Sequence, residues 1–107
     1  MPHALENRLH TGTFKISRVT VGATGMIILP YDMKRCDVSI CNTSGSKMQI
    51  AYGNTCILDN TYTAEIAAGQ VWHMGLPAFY GVISAVKPSG TGVLVITETF
   101  INPVVNY

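Results

Sequence analysis

Apolar residues along the chain alternate with polar ones or form short runs between turns, and no window repeats with a helical period. The predicted strands are 13–21, 26–29, 36–41, 48–52, 62–66, 71–74, 79–86 and 93–101. Turn residues separate them about every ten residues, as in sandwiches and small barrels. The pattern predicts an all-β domain, an antiparallel β-sandwich or jelly-roll-like small barrel of about seven to eight strands.

Two of the predicted strands carry apolar residues on both faces. In the first strand the apolar residues change face, from Phe14 and Ile16 to Val19 and Val21, which predicts a bulge or bend at 17–18. The apolar run at 92–96 predicts a strand covered on both faces, one side by the core and the other by a neighbour or an arm.

The segment 39–54 contains a glycosylation sequon at Asn42-Thr43-Ser44. It lies in a turn-rich stretch between a strand with Cys36, Val38 and Ile40 inward and the strand 48–52. We interpret the sequon as the polar turn of a β-hairpin, since no leader for secretion precedes it.

Composition limits the function classes. Charged residues make up 12% of the chain and apolar residues 48%, against about 25% charged in an average domain. The net charge of +1 gives no electrostatic basis for nucleic-acid binding. No apolar stretch is long enough to span a membrane, and the N-terminus shows no signal peptide, so we expect synthesis in a cytoplasm.

Charged and titratable residues suggest no enzyme. We interpret Lys34-Arg35 as a solvated turn and Glu98 as an outward-facing edge or interface charge. His3, Glu6 and His10 could form a zinc site, although a solvated or docked arm is the simpler interpretation. The six carboxylates and the serines match no catalytic pattern, and no phosphate-binding glycine loop is present. We therefore predict no catalytic residue, no metal and no cofactor.

Three cysteines, Cys36, Cys41 and Cys56, are an odd number, which disfavours a disulfide framework. Cys36 and Cys41 would point to opposite faces of one strand. We predict free thiols.

The chain divides into an N-terminal arm (1–12), a β-sandwich domain (13–101) and a C-terminal tail (102–107). The arm and the tail carry too little apolar surface to fold alone, so a partner is expected to order them. The predicted interface residues are Leu5, Arg8, Leu9, His10, Trp72, Tyr80, Val104, Val105 and Tyr107. Aromatic residues exposed on one face would instead make a sugar-binding platform, and Trp72 with the tyrosines is the candidate set.

The order of motifs resembles a family. The segments are 38–44 (VSICNTS), 48–53 (MQIAYG), 66–72 (IAAGQVW), 79–86 (FYGVISAV) and 90–98 (GTGVLVITE). This progression is similar to small β-sandwich structural proteins of tailed bacteriophage virions, such as head decoration proteins, head fibres and tail components. The resemblance covers about residues 13 to 100 and implies a non-enzymatic protein that decorates or stabilises a phage capsid, located in the virion. It also implies contacts with capsid or other virion proteins in a homo-oligomer, with a trimer as the guess. The alternative is a carbohydrate- or receptor-binding module of a phage tail or fibre.

Overall fold

The computed structural model describes residues 13–75 and 79–101, and its regular structure there is entirely β. The strands are β1 (Thr13–Val21), β2 (Met26–Leu29), β3 (Arg35–Asn42), β4 (Met48–Tyr52), β5 (Ala64–Ile66), β6 (Val71–His73), β7 (Ile83–Val86) and β8 (Gly92–Phe100). They form two four-stranded antiparallel sheets, sheet A in the order β1-β8-β3-β6 and sheet B in the order β2-β7-β4-β5. The predicted all-β antiparallel sandwich is confirmed.

The strand order is that of a jelly roll. β1 pairs with β8, β2 with β7, β3 with β6, and β4 with β5, so the chain is one long antiparallel hairpin wrapped into two sheets. Additional pairing of β3 with β8 and of β4 with β7 completes each sheet. Within the described ranges, no helix is long and apolar enough to cross a membrane.

The core lies between the two sheets and is built from the inward positions of both. Its fully buried side chains include Val21, Val38, Ile40, Met48, Ile50, Ile83, Leu94 and Ile96. On β3 and β8 these residues are two positions apart, which is the period of a strand with one face on a core. Their burial is the main stabilising contribution to the fold, at about 25 cal/mol per Å² of apolar surface.

The predicted bulge at 17–18 is wrong. β1 keeps an unbroken register with β8 from Thr13 to Val21. Val19 packs against the core cluster and Val21 is fully buried, whereas Phe14 and Ile16 are exposed on the outer face of sheet A. The apolar residues change face because the first half of the strand has an apolar outer surface, and no backbone irregularity is involved.

The predicted hairpin of β3 and β4 is also wrong, because the two strands belong to different sheets. The connecting turn is held by Asn42, whose side chain is fully buried. Its Nδ2 donates to the carbonyls of Ser46 (2.9 Å) and Ile66 (2.8 Å), and its Oδ1 accepts from the Ser44 amide (2.9 Å) and hydroxyl (2.7 Å). The sequon asparagine is therefore a structural link between the end of β3 and sheet B.

The start of β3 differs from the prediction that Cys36 faces inward. The register with β8 shifts between Arg35 and Asp37, which leaves Cys36 half-buried and turns Arg35 into the interior. Lys34 is an exposed turn residue as predicted, but Arg35 is buried against Glu98, so the predictions of a solvated Arg35 and an outward Glu98 are wrong. Glu98 lies two residues after Ile96 and thus on the same inward face of β8.

The two sheets differ in what covers their outer faces. The segment between β4 and β5 folds over sheet B, where Cys56 and Leu58 pack against Ala51 and Val86. Gln49 is fully buried beneath this segment. Its Nε2 donates to Asp59 Oδ1 at 2.9 Å, and its Oε1 accepts from the Asp59 amide at 2.7 Å.

β5, β6 and β7 are shorter than the predicted 62–66, 71–74 and 79–86, since adjoining residues belong to loops.

Candidate functional site

Exposed and half-buried aromatic residues gather at one end of the sandwich, which we call the aromatic end (Tyr31, Tyr52, Trp72, Phe79 and Tyr80). The end of β4 and the chain that enters β7 meet there, because antiparallel pairing places Tyr52 opposite Ile83. Tyr31 follows the end of β2, which pairs with the start of β7. The strand topology therefore brings together aromatic residues that are far apart in sequence.

The rings at the aromatic end contact one another in two groups. Tyr52 stacks on Phe79, with centroids 4.3 Å apart and planes 8° apart, and meets Trp72 at 6.4 Å. Tyr31 and Tyr80 form an edge-to-face pair at 5.7 Å. Tyr31 is 57% exposed and Tyr80 49%, whereas Trp72 is half-buried and packs against the core cluster. Within the aromatic end, the Tyr31–Tyr80 pair thus has the most exposed rings.

Arg35 forms the buried support of this end. Its Nε donates to Glu98 Oε2 at 3.1 Å, and its Nη1 donates to the carbonyls of Phe79 (3.3 Å) and Gly81 (3.1 Å). Its Nη2 donates to the Pro30 carbonyl at 2.6 Å. One guanidinium therefore joins β3 and β8 to the two loops that carry Tyr31 and Tyr80. Arginine suits this position because its planar set of N–H donors can bond several fixed acceptors at once.

A second apolar surface lies along β1. Phe14 is 69% exposed and Ile16 59%, both on the outer face of sheet A. Across the same face, the cross-strand pairing aligns Arg18 with Val95 and Cys41, and Ile16 with Thr97 and Ser39. The face carries few charges, and Val93 and Val95 on it are only half-buried. The prediction of a second cover over 93–96 remains a prediction.

The predicted interface residues fall into two groups. Trp72 and Tyr80 belong to the aromatic end. Leu5, Arg8, Leu9, His10, Val104, Val105 and Tyr107 lie outside the described residues, as does the possible zinc site of His3, Glu6 and His10. Segments 1–12 and 102–107 adjoin Thr13 and Ile101, and β1 and β8 pair Thr13 with Phe100. Both terminal segments therefore join the domain at the end where β1 begins.

Titratable groups in the described part of the chain offer little chemistry. No group of three or more possible metal ligands occurs among residues 13–75 and 79–101. Cys36, Cys41 and Cys56 are free thiols. Burial raises the pKa of Cys56, so a smaller fraction of this thiol is ionised to the reactive thiolate. The prediction of no metal and no cofactor for the whole chain is untested.

One polar cluster lies on the outer side of sheet B. Lys47 Nζ is 2.9 Å from Glu65 Oε2 and 3.8 Å from Asp59 Oδ1. The hydrogen bond from Lys47 is the main cause that lowers the pKa of Glu65, helped by a bond from Gln49, and the same pairing raises the pKa of Lys47. A protonated, paired lysine is not a nucleophile, so the cluster is a surface ion pair.

This ion pair has a testable pH dependence. Because the pKa of Glu65 is lower in the folded state, its contribution is present above the unfolded pKa of about 4.3 and is lost as pH falls through the folded pKa. We expect Glu65→Gln to lose less stability than the parent chain on acidification below about pH 4.3. Urea unfolding at a series of pH values measures this. Lys47→Met is the matched variant and should flatten the acid limb similarly; parallel curves for all three chains would contradict the assignment.

Comparisons with known proteins add little. No family model matches the sequence, and no curated protein matches it. One solved structure is similar, a chain from the Bacillus endospore appendages, which form a novel family of disulfide-linked pili. It shares 15% identity with a TM-score of 0.44, and the alignment covers 88% of this chain and 93% of that chain. At these values the similarity assigns no function or partner to this chain, and the phage-virion resemblance stays a prediction.

Sequence reasoning missed the two most exposed apolar residues of the first strand as site candidates. The signal was present, since Phe14 and Ile16 alternate with Thr13, Lys15 and Ser17 in a regular strand pattern. The predicted bulge explains their change of face by an irregular backbone. An apolar outer face on one half of the strand accounts for it instead.

Proposed function

We propose that this chain is a non-enzymatic structural subunit that works within an assembly of copies, and more specifically a phage virion protein that decorates or stabilises the capsid. The observation that carries the proposal is the concentration of exposed apolar side chains at the aromatic end and along β1. A domain with only 12% charged residues has little else to keep such surfaces soluble unless partners cover them.

The fold is compatible with this function and does not assign it. Double-sheet jelly rolls are used by viral capsid domains and also by lectins. Function has to be argued from surfaces, because one fold serves many roles. The aromatic end and the outer face of β1 carry exposed apolar side chains, and the buried polar groups Arg35, Glu98 and Asn42 are occupied by internal hydrogen bonds. These features favour a structural role.

The terminal segments extend the proposal to attachment. Residues 1–12 combine Leu5 and Leu9 with His3, Arg8 and His10, and 102–107 contain Val104, Val105 and Tyr107. Both segments adjoin the end of the sandwich where β1 begins, so an arm and a tail from one subunit would reach a neighbour from the same place. Addition of such a segment to a neighbour's sheet is a common recognition mode.

Deleting Met1 to Gly12 tests this proposal. We expect the shortened chain to keep its thermal unfolding midpoint within about 2 °C, because it retains every core residue of the described part. Binding to purified phage capsids in co-sedimentation should fall at least about tenfold, as expected when contacts worth about 1.4 kcal/mol are lost. The control replaces 1–12 with a glycine-serine segment of equal length and should bind as weakly as the deletion. Undiminished capsid binding by the deletion would contradict the arm's role, and absence of capsid binding by the full chain would contradict the virion function.

The Tyr31–Tyr80 pair supports a second candidate function, a carbohydrate- or receptor-binding module of a phage tail or fibre. A sugar platform needs exposed aromatic rings close to one another, and Tyr31 and Tyr80 are two exposed rings in direct contact. Tyr52 is less suitable because Phe79 covers one of its faces. Titration of cell-wall polysaccharide fragments against the full chain and a Tyr31→Ala/Tyr80→Ala variant tests this function. Saturable binding lost in the variant would favour it over the first.

A further inference from the structure

The four sheet edges of the sandwich are protected very unequally. β5 and β6 are only three residues long. β2 has four residues, an irregular register between Ile27 and Leu29, and a proline directly after it. β1 is a nine-residue strand with an unbroken register and no proline, and in the described residues it pairs with β8 alone. Short, bulged or proline-bounded edges resist pairing with other chains, whereas a long regular edge invites it.

The hydrogen bonds of the neighbouring strand β8 show which backbone groups of β1 face this open edge. The Val93 carbonyl accepts from Thr43, on the side of β3, so the odd-numbered residues of β8 bond to β3. In antiparallel sheets the groups of successive residues point to opposite sides. The even residues of β8 therefore bond to the odd residues of β1. The amides and carbonyls of Phe14, Ile16, Arg18 and Thr20 point to the open edge.

We propose that the open edge of β1 pairs antiparallel with β1 of a second copy of this chain, forming a two-fold dimer with a continuous eight-stranded sheet. The inference rests on the proposed function as an assembly subunit and names one of its contacts. Length favours this occupant, because a β1–β1 pair matches two nine-residue strands, whereas β6 of another copy offers three residues.

The side chains of β1 select one register, with Ile16 opposite Ile16 of the partner subunit. Phe14 then lies opposite Arg18 of the partner subunit, and Lys15 opposite Ser17 of the partner subunit. All three of the pairs 14–18, 16–16 and 18–14 join residues whose backbone groups face the edge, so each can exchange two hydrogen bonds. The register makes two arginine–phenylalanine contacts and places no cation opposite a cation. Moving the two-fold axis from Ile16 to Lys15 would place Lys15 directly opposite Lys15 of the partner subunit, and moving it to Ser17 would remove both direct arginine–phenylalanine pairs.

Charge substitution at residue 16 tests the surface and the register together. The full-length chain with Ile16→Lys places two ammonium groups opposite each other, and we expect its dimer dissociation constant to rise at least about tenfold over the parent in sedimentation equilibrium. Ile27→Lys is the matched control, because Ile27 is a 49% exposed isoleucine on the short edge strand β2. It should leave the dissociation constant within about twofold of the parent value. At protein concentrations well below the parent's dimer dissociation constant, both variants should keep the parent's unfolding midpoint, since the replaced side chains are exposed in the monomer.

An equimolar mixture of Ile16→Lys and Ile16→Glu chains should recover dimer formation, since only the two-fold register puts residue 16 opposite itself. Recovery in the mixture but in neither variant alone supports the register. Unchanged association of Ile16→Lys in a dimerising parent overturns the inference and points to another surface or to a terminal segment on this edge. A parent chain that stays monomeric also overturns it, while capsid co-sedimentation still decides the proposed function separately.

Discussion

Replacing Arg35 with methionine should lower the free energy of unfolding by about 3–5 kcal/mol, the usual cost of removing one partner of a buried ion pair. Arg35 is 2% exposed and Glu98 4%, so water cannot replace the lost guanidinium. The substitution leaves a buried carboxylate with its partner gone and removes the donor from three carbonyls at the aromatic end. In a domain of ordinary stability this loss consumes a large part of the folding free energy.

Companion variants separate charge from hydrogen bonding. Arg35→Lys keeps the charge, but one ammonium cannot reach four acceptors spread around a planar fork, so we expect an intermediate loss. The double variant Arg35→Met/Glu98→Met removes both charges, and we expect it to be more stable than Arg35→Met alone, because no uncompensated carboxylate remains. Urea unfolding followed by Trp72 fluorescence measures all three. A loss below about 1 kcal/mol for Arg35→Met would show that the buried network contributes little.

Local pattern was sufficient to locate strands. The bounds of β1, β2 and β4 agree with those predicted, because each combines period-two alternation or a compact apolar run with turn residues or a proline at its ends. The packing of Cys56 and Leu58 on sheet B was also predictable, because these apolar residues interrupt a polar stretch. These features depend only on residues near in sequence.

Sheet membership could not be predicted from local pattern. β3 and β4 are separated by a short polar turn that suits a hairpin, yet each pairs with strands much farther along the chain. The buried Asn42 amide is what stabilises the crossing, through carbonyls 4 and 24 residues away. Arg35 is similar, because its acceptors lie 5, 44, 46 and 63 residues away. Neighbouring residues give no indication that such a charge will be buried.

The kind of site, an apolar surface covered by a partner, could be predicted from the sequence, but only some of its residues could. Low charge and short apolar termini indicated surfaces covered by a partner, and Tyr80, predicted as an interface residue, is 49% exposed. The open edge of β1 required the strand order, because an edge is defined by the partner that a strand lacks. The inward position of Glu98 was available from its spacing to Ile96 and was misinterpreted.

Replacing Asn42 with aspartate should destabilise the fold by about 3–5 kcal/mol at neutral pH, although the two side chains have nearly the same shape. The amide nitrogen of Asn42 donates to the carbonyls of Ser46 and Ile66. In the variant a carboxylate oxygen faces those two carbonyls without a proton to share. The side chain is fully buried, so the new charge cannot be solvated.

The loss in Asn42→Asp should depend on pH in a direction that identifies its cause. Burial and the facing carbonyls favour the protonated acid, so the pKa of the introduced carboxyl is raised in the folded state. A group with a raised folded pKa gives stability that is present below its unfolded pKa of about 3.9 and is lost as pH rises. The stability gap between variant and parent should therefore widen from pH 4 to pH 7. Asn54→Asp is the control, because Asn54 is exposed and should show a small, nearly constant difference. An equal gap at both pH values would mean that lost hydrogen bonds alone, without a buried charge, account for the destabilisation.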